Sequence, residues 1–355
     1  QAVLNNAGEA ITGEGLIRVQ EKEVFYKEPN EVLEGELRPG RYVCVTIEDS
    51  GEGMDHETLH FPAKTDSFKQ WAAKLREYAE SPALLSQLEY WNRIEKTPIP
   101  PLPVDYAISD PEKKLKNRRM LELILDPEET HRLSNEVNRA YGTEINDILL
   151  AALGLAVQEW AGHDRVLFHL EGHGREEIIE NIDVNRTVGW FTSQYPVLLE
   201  MDPNRDLSYT IKQVKETIRR IPQKGIGYGI LKYITPAGKK PGFEPIQTPG
   251  ISFNYMGEFE SIAQGNQEKI YSVSHLSPGN NRSPECEQTY AIDINGMVAR
   301  SRLILTFTYN KNQYKRQTIE KLSECYKSNL LEIISHCTRK ETRELTPSDF
   351  TYPHL

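Results

Sequence analysis

The sequence has few cysteines, and no apolar run is long enough to cross a membrane. Its 355 residues include four cysteines, at positions Cys44, Cys286, Cys325 and Cys337. Because no two of them form a Cys-x-x-Cys pair, neither a zinc ribbon nor a disulfide framework is indicated, and reduced, packed thiols are expected. No stretch reaches the roughly 18 apolar residues of a membrane span. The start also lacks a basic and then apolar signal segment, so we expect a cytoplasmic protein that does not bind a membrane.

Basic residues are too few for a nucleic-acid surface. Lysine and arginine together number 42 against 52 aspartates and glutamates, which gives a net charge of −10. Nucleic-acid binding needs clustered lysine and arginine that neutralise phosphates. The acidic balance therefore favours a small-molecule or protein partner, and the length predicts two or three core-sized units.

A charged, glycine-rich turn is the most informative feature that the sequence does contain. The block 171–176 reads Glu-Gly-His-Gly-Arg-Glu and directly follows the apolar run 166–170, so a strand should deliver this turn to its end. Glycines at 172 and 174 relax the backbone, which lets a carboxylate, an imidazole and a guanidinium be aimed at one small volume. A hexapeptide of this kind is equally consistent with a solvated strand-to-loop turn.

Three further blocks accompany this turn. They are 187–193 (Thr-Val-Gly-Trp-Phe-Thr-Ser), 224–231 (Lys-Gly-Ile-Gly-Tyr-Gly-Ile-Leu) and 253–259 (Phe-Asn-Tyr-Met-Gly-Glu-Phe). In this order the four blocks closely resemble the epimerization domains of nonribosomal peptide synthetases, which are relatives of condensation domains. The resemblance runs from about Phe61 to Leu355, beginning at 62–68 (Pro-Ala-Lys-Thr-Asp-Ser-Phe) and closing at 346–350 (Thr-Pro-Ser-Asp-Phe).

The resemblance implies the chloramphenicol acetyltransferase-like α/β sandwich. Residues 116–355 would form its C-terminal lobe, and residues 61–115 would be a remnant of the N-terminal lobe followed by a linker. The proline-rich stretch 97–103 and the charged run after it mark that linker. In this interpretation the domain is truncated at its N-terminus and joined near residue 60 to an unrelated piece.

Hydrophobic spacing predicts the elements of such a fold. Asp126 followed by Pro127 predicts the start of a helix, which Gly142 should end. One apolar helical face includes Ile145, Ile148, Leu149, Ala152, Leu153, Ala156 and Trp160. Apolar or alternating runs predict strands at 120–125, 166–170, 197–199, 251–255, 290–294 and 303–309, and helical spacing predicts helices over 66–94, 207–218 and 319–334. Strands interspersed with amphipathic helices imply a layered α/β sandwich.

The family chemistry that the resemblance implies is inversion of an amino acid from L to D at Cα. Such an inversion needs one acid/base group on each face of the carbon. One of them corresponds to Glu171, with Arg175 in the same block also implicated, while Asn254 and Tyr255 match family residues near the reacting centre. We expect these four side chains to converge on one cleft. His173, Trp190 and Phe191 should line or support the substrate region, His173 in a structural role.

The resemblance also implies how the substrate arrives. No cofactor or metal would be bound, and a peptidyl carrier protein would present an aminoacyl or peptidyl thioester on its 4′-phosphopantetheine. The opposite-face base of the family is the second histidine of a His-His-x-x-x-Asp-Gly motif, which the 355 residues do not contain. We therefore expect no measurable epimerization.

Residues 1–60 resemble part of the ATP-binding domain of sensor histidine kinases. By this resemblance, Asn6 would reach a metal bound to phosphates, while Asp49 with Gly51 and Gly53 would hold adenine. The later glycine-rich lid that cradles phosphates has no counterpart here. Too few strands are present for an independent sheet, so this segment should pack poorly against the rest.

A zinc motif competes in the same region. The stretch 56–60 reads His-Glu-Thr-Leu-His and fits the His-Glu-x-x-His pattern, in which two histidines bind zinc and the glutamate activates water. Pro62 would interrupt the helix that this pattern requires, and a third histidine does not follow at the metzincin spacing. Besides ATP binding and zinc hydrolysis, three functions stay open: an impaired epimerization domain, a carrier-docking remnant without catalysis, and a non-functional product of recombination.

Overall fold

The computed structural model describes residues 64–245, 247–258, 279 and 282–350, together with the backbone of 17–26, 30–32, 35–37 and 40–49. The described residues fall into two compact units, one before residue 65 and one from residue 65 onward. The predicted boundaries at 60 and 115 concern the origin of the segments, and they stay predictions.

The first unit contains two antiparallel strand pairs. Its strands are β1 (Ile17–Tyr26), β2 (Asn30–Val32), β3 (Gly35–Leu37) and β4 (Gly40–Asp49). β1 pairs with β4 from Ile17 opposite Asp49 to Tyr26 opposite Gly40, and β2 pairs with β3. The apolar and polar residues that alternate along 42–47 are typical of a strand, and β4 contains them.

Three helices open the second unit. They are α1 (Phe68–Tyr78), α2 (Pro82–Leu85) and α3 (Leu88–Lys96). Ser67 begins α1 with a capping box, in which its hydroxyl accepts from the backbone N–H of Gln70. Trp71 and Trp91 are buried in the same hydrophobic core as the strands that follow, so these helices are an integral part of the second unit.

The second unit is built on one six-stranded sheet in the order β5-β10-β9-β8-β6-β7. Its strands are β5 (Arg118–Ile124), β6 (Arg165–Gly172), β7 (Ser193–Glu200), β8 (Ile251–Glu258), β9 (Ile292–Ala299) and β10 (Arg302–Asn310). β6, β8 and β9 run parallel, and the other pairings are antiparallel. The strands overlap the predicted ones and are one to five residues longer at most ends, although β9 starts two residues later and β5 ends one residue earlier than predicted.

Five further helices of the described chain pack around this sheet. They are α4 (Pro127–Asn135), α5 (Ile145–Ala161), α6 (Leu207–Arg219), α7 (Ile226–Tyr233) and α8 (Arg316–Thr338). α5 is buried along most of its length between β6 and α8, where the hydroxyl of Tyr326 donates to the carbonyl of Leu149 at 2.7 Å. The layered α/β sandwich is confirmed.

The end of α4 differs from its prediction. α4 starts after Asp126 as expected, and Asp126 and Glu129 form a reciprocal capping box. The helix stops at Asn135, however, well before Gly142. Gly142 has a φ of +62°, and a Cβ there would lie 2.8 Å from Oδ1 of Asp349. Gly142 therefore forms a tight turn that packs against the C-terminal segment, and it does not end α4.

Candidate functional site

A row of polar side chains crosses the sheet at the level of Glu171. Cross-strand partners share a face of a sheet, and the strand registers join the following residues into one row. From edge to edge the row is Glu122, Thr306, Asn295, Asn254, Glu171 and Gln194. All six are half-buried or exposed. The neighbouring row, which faces the helices, contains the buried Phe307, Ile294, Phe253, Leu170 and Tyr195.

The carboxylate of Glu171 is held by two amide side chains. Its Oε2 accepts a hydrogen bond from Nδ2 of Asn254 at 3.0 Å, and its Oε1 accepts from Nε2 of Gln194 at 3.4 Å. Burial raises the pKa of Glu171, the negative charge of Asp293 adds to that effect, and the bond from Gln194 opposes it. A carboxyl group with a raised pKa exchanges protons closer to neutral pH, which suits a general acid/base.

The glycine-rich turn owes its shape to Gly174. This residue has a φ of +68°, and a Cβ on it would lie only 1.7 Å from the carbonyl oxygen of Phe191. Only glycine fits such a close approach of two main chains. The turn that follows Glu171 is therefore folded back onto the 187–193 block.

Arg175 binds main-chain oxygens of the neighbouring loop. Its Nη2 donates to the carbonyl of Thr187 at 2.8 Å, its Nη1 donates to the carbonyl of Val184, and the guanidinium stacks on the ring of Phe191 at 4.1 Å from the centroid. That this guanidinium lies in one cleft with Glu171 stays a prediction. Its donors are used to fix the loop.

Tyr255 also lies apart from Glu171. Successive residues of a strand point to opposite faces, so Tyr255 emerges on the face opposite to Asn254. There its ring approaches Gly296, whose missing Cβ would lie 3.4 Å from it. Burial, and then the charge of Glu258, raise the pKa of the Tyr255 phenol to about 12. The structure thus brings Asn254 into contact with Glu171, engages Arg175 with loop carbonyls and puts Tyr255 on the other face of its strand. The convergence of all four side chains on one cleft stays a prediction.

The predicted substrate-region residues divide between surface and core. His173 is 62% exposed, and its ring accepts from the backbone N–H of Arg175 and contacts Glu176 at 3.0 Å, which is a turn-stabilising arrangement. Trp190 is 83% exposed, whereas Phe191 is 8% exposed and packs edge-on against Phe68. Phe191 thus supports the turn through Arg175. A substrate contact by His173, Trp190 or Phe191 stays a prediction.

Comparison with known proteins identifies the family. The model of the condensation domain family matches residues 52–355. The chain belongs to the condensation domain family. Its match includes the polar row and the turn at 171–176.

Curated relatives of this condensation-family chain are peptide synthetases. Gramicidin S synthase 1 of Brevibacillus brevis is 46% identical over 313 residues, which are 86% of this chain and 28% of that protein. Surfactin synthase subunit 2 of Bacillus subtilis (strain 168) is 44% identical over 315 residues, 88% of this chain and 8% of that protein. The chain thus spans less than a third of either relative.

Solved structures show the same fold. The epimerization domain from the third module of tyrocidine synthetase B is 45% identical, with a TM-score of 0.73, over 79% of this chain and 62% of that chain. The condensation domain from Monacolin K polyketide synthase shares only the fold, at 17% identity and a TM-score of 0.57, over 80% of this chain and 64% of that chain.

Three side chains that the sequence analysis did not single out also belong to the site. Gln194 and Tyr290 are half-buried, and His169 is 8% exposed on the same strand face as Glu171. Burial, and then the charge of Lys232, lower the pKa of His169 to about 4, so its ring is neutral at pH 7. The period of two along β6 was an available signal for His169. The predicted strand 290–294 included Tyr290, but β9 begins only at Ile292, so that pattern did not place its side chain.

The structure leaves the alternative functions of the N-terminal segment untested. Asn6, Gly51, Gly53 and the His-Glu-x-x-His stretch lie outside the described residues, and of Asp49 only the backbone is described, at the end of β4. Within the described part of this condensation-family chain, no group of three or more histidine, cysteine, aspartate or glutamate side chains is arranged to hold a metal. The helices of that same part are all too short or too polar to cross a membrane.

Proposed function

We propose that this chain carries the Glu171 half of an epimerization site, which acts at Cα of an aminoacyl or peptidyl thioester on the phosphopantetheine of a carrier protein. The observation that carries the proposal is the Glu171 carboxylate, fixed by Asn254 and Gln194 on the polar face of the sheet. The 45% identity to a solved epimerization domain supports the same assignment.

The reaction at Glu171 is a proton transfer. The carboxylate takes the Cα proton, the electron pair of the broken C–H bond moves into the thioester carbonyl, and an enolate forms. If Glu171 returns a proton to the same face, the L-isomer is regenerated and solvent hydrogen is incorporated. Inversion requires a second acid that delivers a proton to the opposite face.

The second acid is missing from this sequence. The 355 residues contain no His-His-x-x-x-Asp-Gly motif. His173 does not replace it, because both its ring nitrogens are engaged within the turn. We therefore propose that this chain by itself catalyses slow exchange at Cα without net inversion, since loss of a positioned acid/base group typically lowers a rate by a factor on the order of 10² to 10⁴.

The first prediction is that exchange depends on Glu171. A carrier protein loaded with an L-aminoacyl phosphopantetheine is incubated with the chain in D₂O, the thioester is hydrolysed, and deuterium at Cα and the enantiomer ratio are measured. We expect slow deuterium incorporation, loss of it in Glu171→Gln, and no D-isomer. Glu122→Gln is the matched control, because Glu122 lies in the same row of the sheet and is exposed.

Two outcomes would contradict the proposal. Deuterium incorporation no faster than in the carrier alone would remove the acid/base role of Glu171. D-isomer that accumulates with the chain alone, and that disappears in Glu171→Ala, would show that the chain does supply an opposite-face acid, and His173→Ala would then test the first candidate for it.

A further inference from the structure

A hydrogen-bonded chain connects Glu171 to His169 on the same strand. Gln194 donates from Nε2 to Glu171 and accepts at Oε1 from the hydroxyl of Tyr290 at 2.7 Å. The same hydroxyl lies 2.8 Å from Nδ1 of His169, whose ring meets that of Tyr290 edge-on. The chain therefore passes from the site to a buried imidazole through a side-chain amide and a phenol.

The carboxylate of Glu171 sets the donor-to-acceptor direction of the whole series of hydrogen bonds. An ionised carboxylate only accepts hydrogen bonds, so Gln194 must turn its NH₂ group toward Glu171 and its carbonyl oxygen toward Tyr290. Tyr290 must then donate to Gln194, and its oxygen is left to accept from His169. His169 consequently carries its proton on Nδ1. Its Nε2 is buried without a hydrogen-bond partner, as the unprotonated nitrogen of this tautomer can be.

We propose that Tyr290 is a positioning residue for Glu171, which acts through Gln194 and takes its own orientation from His169. The inference rests on the proposed function of Glu171, and it adds the groups that hold this carboxyl in its working orientation. Without the Tyr290 hydroxyl, the carbonyl oxygen of Gln194 loses its hydrogen-bond donor, and the amide is held only through its NH₂ group at Glu171. The amide can then swing, which weakens its hydrogen bond to the carboxylate.

The charged and titratable groups around these hydrogen bonds stay in place when Tyr290 is substituted. Asp293 acts on both Glu171 and Tyr290, Lys232 acts on His169, and Tyr233 acts on Tyr290. Tyr290→Phe removes one oxygen atom and keeps the ring that packs against His169. Any change in the titration of Glu171 therefore reports on the hydrogen bond to Gln194.

The test uses the full chain and two independent readouts. The first is the titration of the Glu171 side-chain carboxyl by ¹³C NMR without substrate, and the second is the rate of Cα exchange with saturating loaded carrier. Since the bond from Gln194 lowers the pKa of Glu171, Tyr290→Phe should raise the titration midpoint by about half to one pH unit. Exchange should slow about 10-fold with an unchanged KM, because orientation is lost and binding is not.

Matched variants decide between a positioning role and a general loss of structure. Gln194→Leu should reproduce the effects of Tyr290→Phe, and the double variant should add little to either. Tyr209→Phe, at an exposed tyrosine on α6, should leave both readouts unchanged. Circular dichroism of each variant should match that of the parent chain.

Three results would overturn the inference. Tyr290→Phe could leave the Glu171 midpoint unchanged while Gln194→Leu shifts it, which would show that Gln194 is oriented without Tyr290. Additive effects in the double variant would show that the two side chains act separately. If ¹⁵N NMR finds the His169 proton on Nε2, the derived donor-to-acceptor direction of the hydrogen bonds is contradicted. Because the titration needs no substrate, failure of the proposed function is seen separately, as absent exchange in the parent chain.

Discussion

The surroundings of the Glu171 carboxyl are built by side chains that come from three other strands or their ends. Asn254 on β8 and Gln194 on β7 fix the carboxyl oxygens, and Asp293 on β9 adds a negative charge. The local sequence identified Glu171 and Asn254 through the family resemblance. It did not reveal that Arg175, four residues away, would turn to the loop carbonyls, because the positions of those carbonyls depend on how a distant loop folds.

At the residue scale, the raised pKa of Glu171 makes a prediction about stability. Between the unfolded pKa of about 4.5 and the higher folded pKa, the native chain binds more protons than the unfolded chain, so this residue lowers stability as pH rises. Glu171→Gln should therefore be more stable than the parent at pH 7. The gain should stay below about 1 kcal/mol, because solvent screens a half-exposed carboxylate.

Urea unfolding of both chains at pH 7 and at pH 4 measures this effect. The difference between them should become small at pH 4, where Glu171 is largely protonated in both states. A Glu171→Gln chain that is less stable than its parent at pH 7 would show that the hydrogen bonds of the carboxylate outweigh its burial. Glu122→Gln, at an exposed position in the same row of the sheet, serves as the control.

At the element scale, the sequence predicted helix starts better than the pairing of strands. The start of α4 follows from Asp126, Pro127 and Glu129 alone, because capping is a local interaction. α7 was missed because Gly227 and Gly229 lie inside it and glycine is a poor helix former. The row that contains Glu171 was not predictable, since the neighbours of a strand are chosen by packing of the whole sheet rather than by its own residues.

At the element scale, the turn after β6 predicts a loss of stability when Gly174 is replaced. Gly174→Ala would place a methyl group against the carbonyl of Phe191 at a positive φ, so the turn must move or the chain must lose stability. We expect a loss of roughly 2–4 kcal/mol, together with loss of Glu171-dependent exchange. Gly229→Ala in α7 is the matched control, because nothing lies within 4 Å of its added Cβ and alanine favours the helix.

Thermal or urea unfolding of the two glycine variants gives the comparison. Gly229→Ala should be neutral or slightly stabilising. If Gly174→Ala is as stable as Gly229→Ala and still exchanges Cα protons, then the turn tolerates a side chain and its geometry does not control the site.

At the scale of the whole molecule, the two ends of the described second unit are tied into it by carboxylates. Near its start, the side chain of Asp66 accepts from the backbone N–H of Asp183 at 2.9 Å. Near its end, Asp349 pairs with the ammonium of Lys215 at 2.7 Å, and that lysine is only 1% exposed. The blocks that open and close the family resemblance therefore contribute contacts that hold this unit together.

The ion pair between Asp349 and Lys215 predicts that the stability of the second unit depends strongly on this carboxylate. Asp349→Asn would leave the Lys215 ammonium buried without its counter-charge, which typically costs roughly 3–5 kcal/mol. Glu341→Gln, at an exposed position in the same segment, should change stability little. Urea unfolding measures both, and equal stability of the two variants would show that Lys215 is neutralised or solvated when its partner is removed.

Acid should weaken the same contact. Burial raises the pKa of Asp349, but the hydrogen bonds from Lys215 and Thr346 outweigh burial and hold this pKa at about 2, below the unfolded value of 3.8. The contribution of the pair to stability is therefore complete above about pH 4 and is lost as pH falls toward 2. The Asp349→Asn chain should lack this part of the acid transition.

The hydrogen bond between Asn254 and Glu171 also has a consequence for folding kinetics. It joins residues 83 positions apart, on two parallel strands whose direct pairing requires the intervening chain to be in place. Contacts of such long sequence separation form slowly, because the entropy of closing the loop is lost before any strand pairing stabilises the chain. During synthesis, Glu171 emerges long before Asn254, so a partly folded chain holds an ordinary solvated glutamate at this position. The hydrogen-bonded carboxyl group exists only once β8 has joined the sheet.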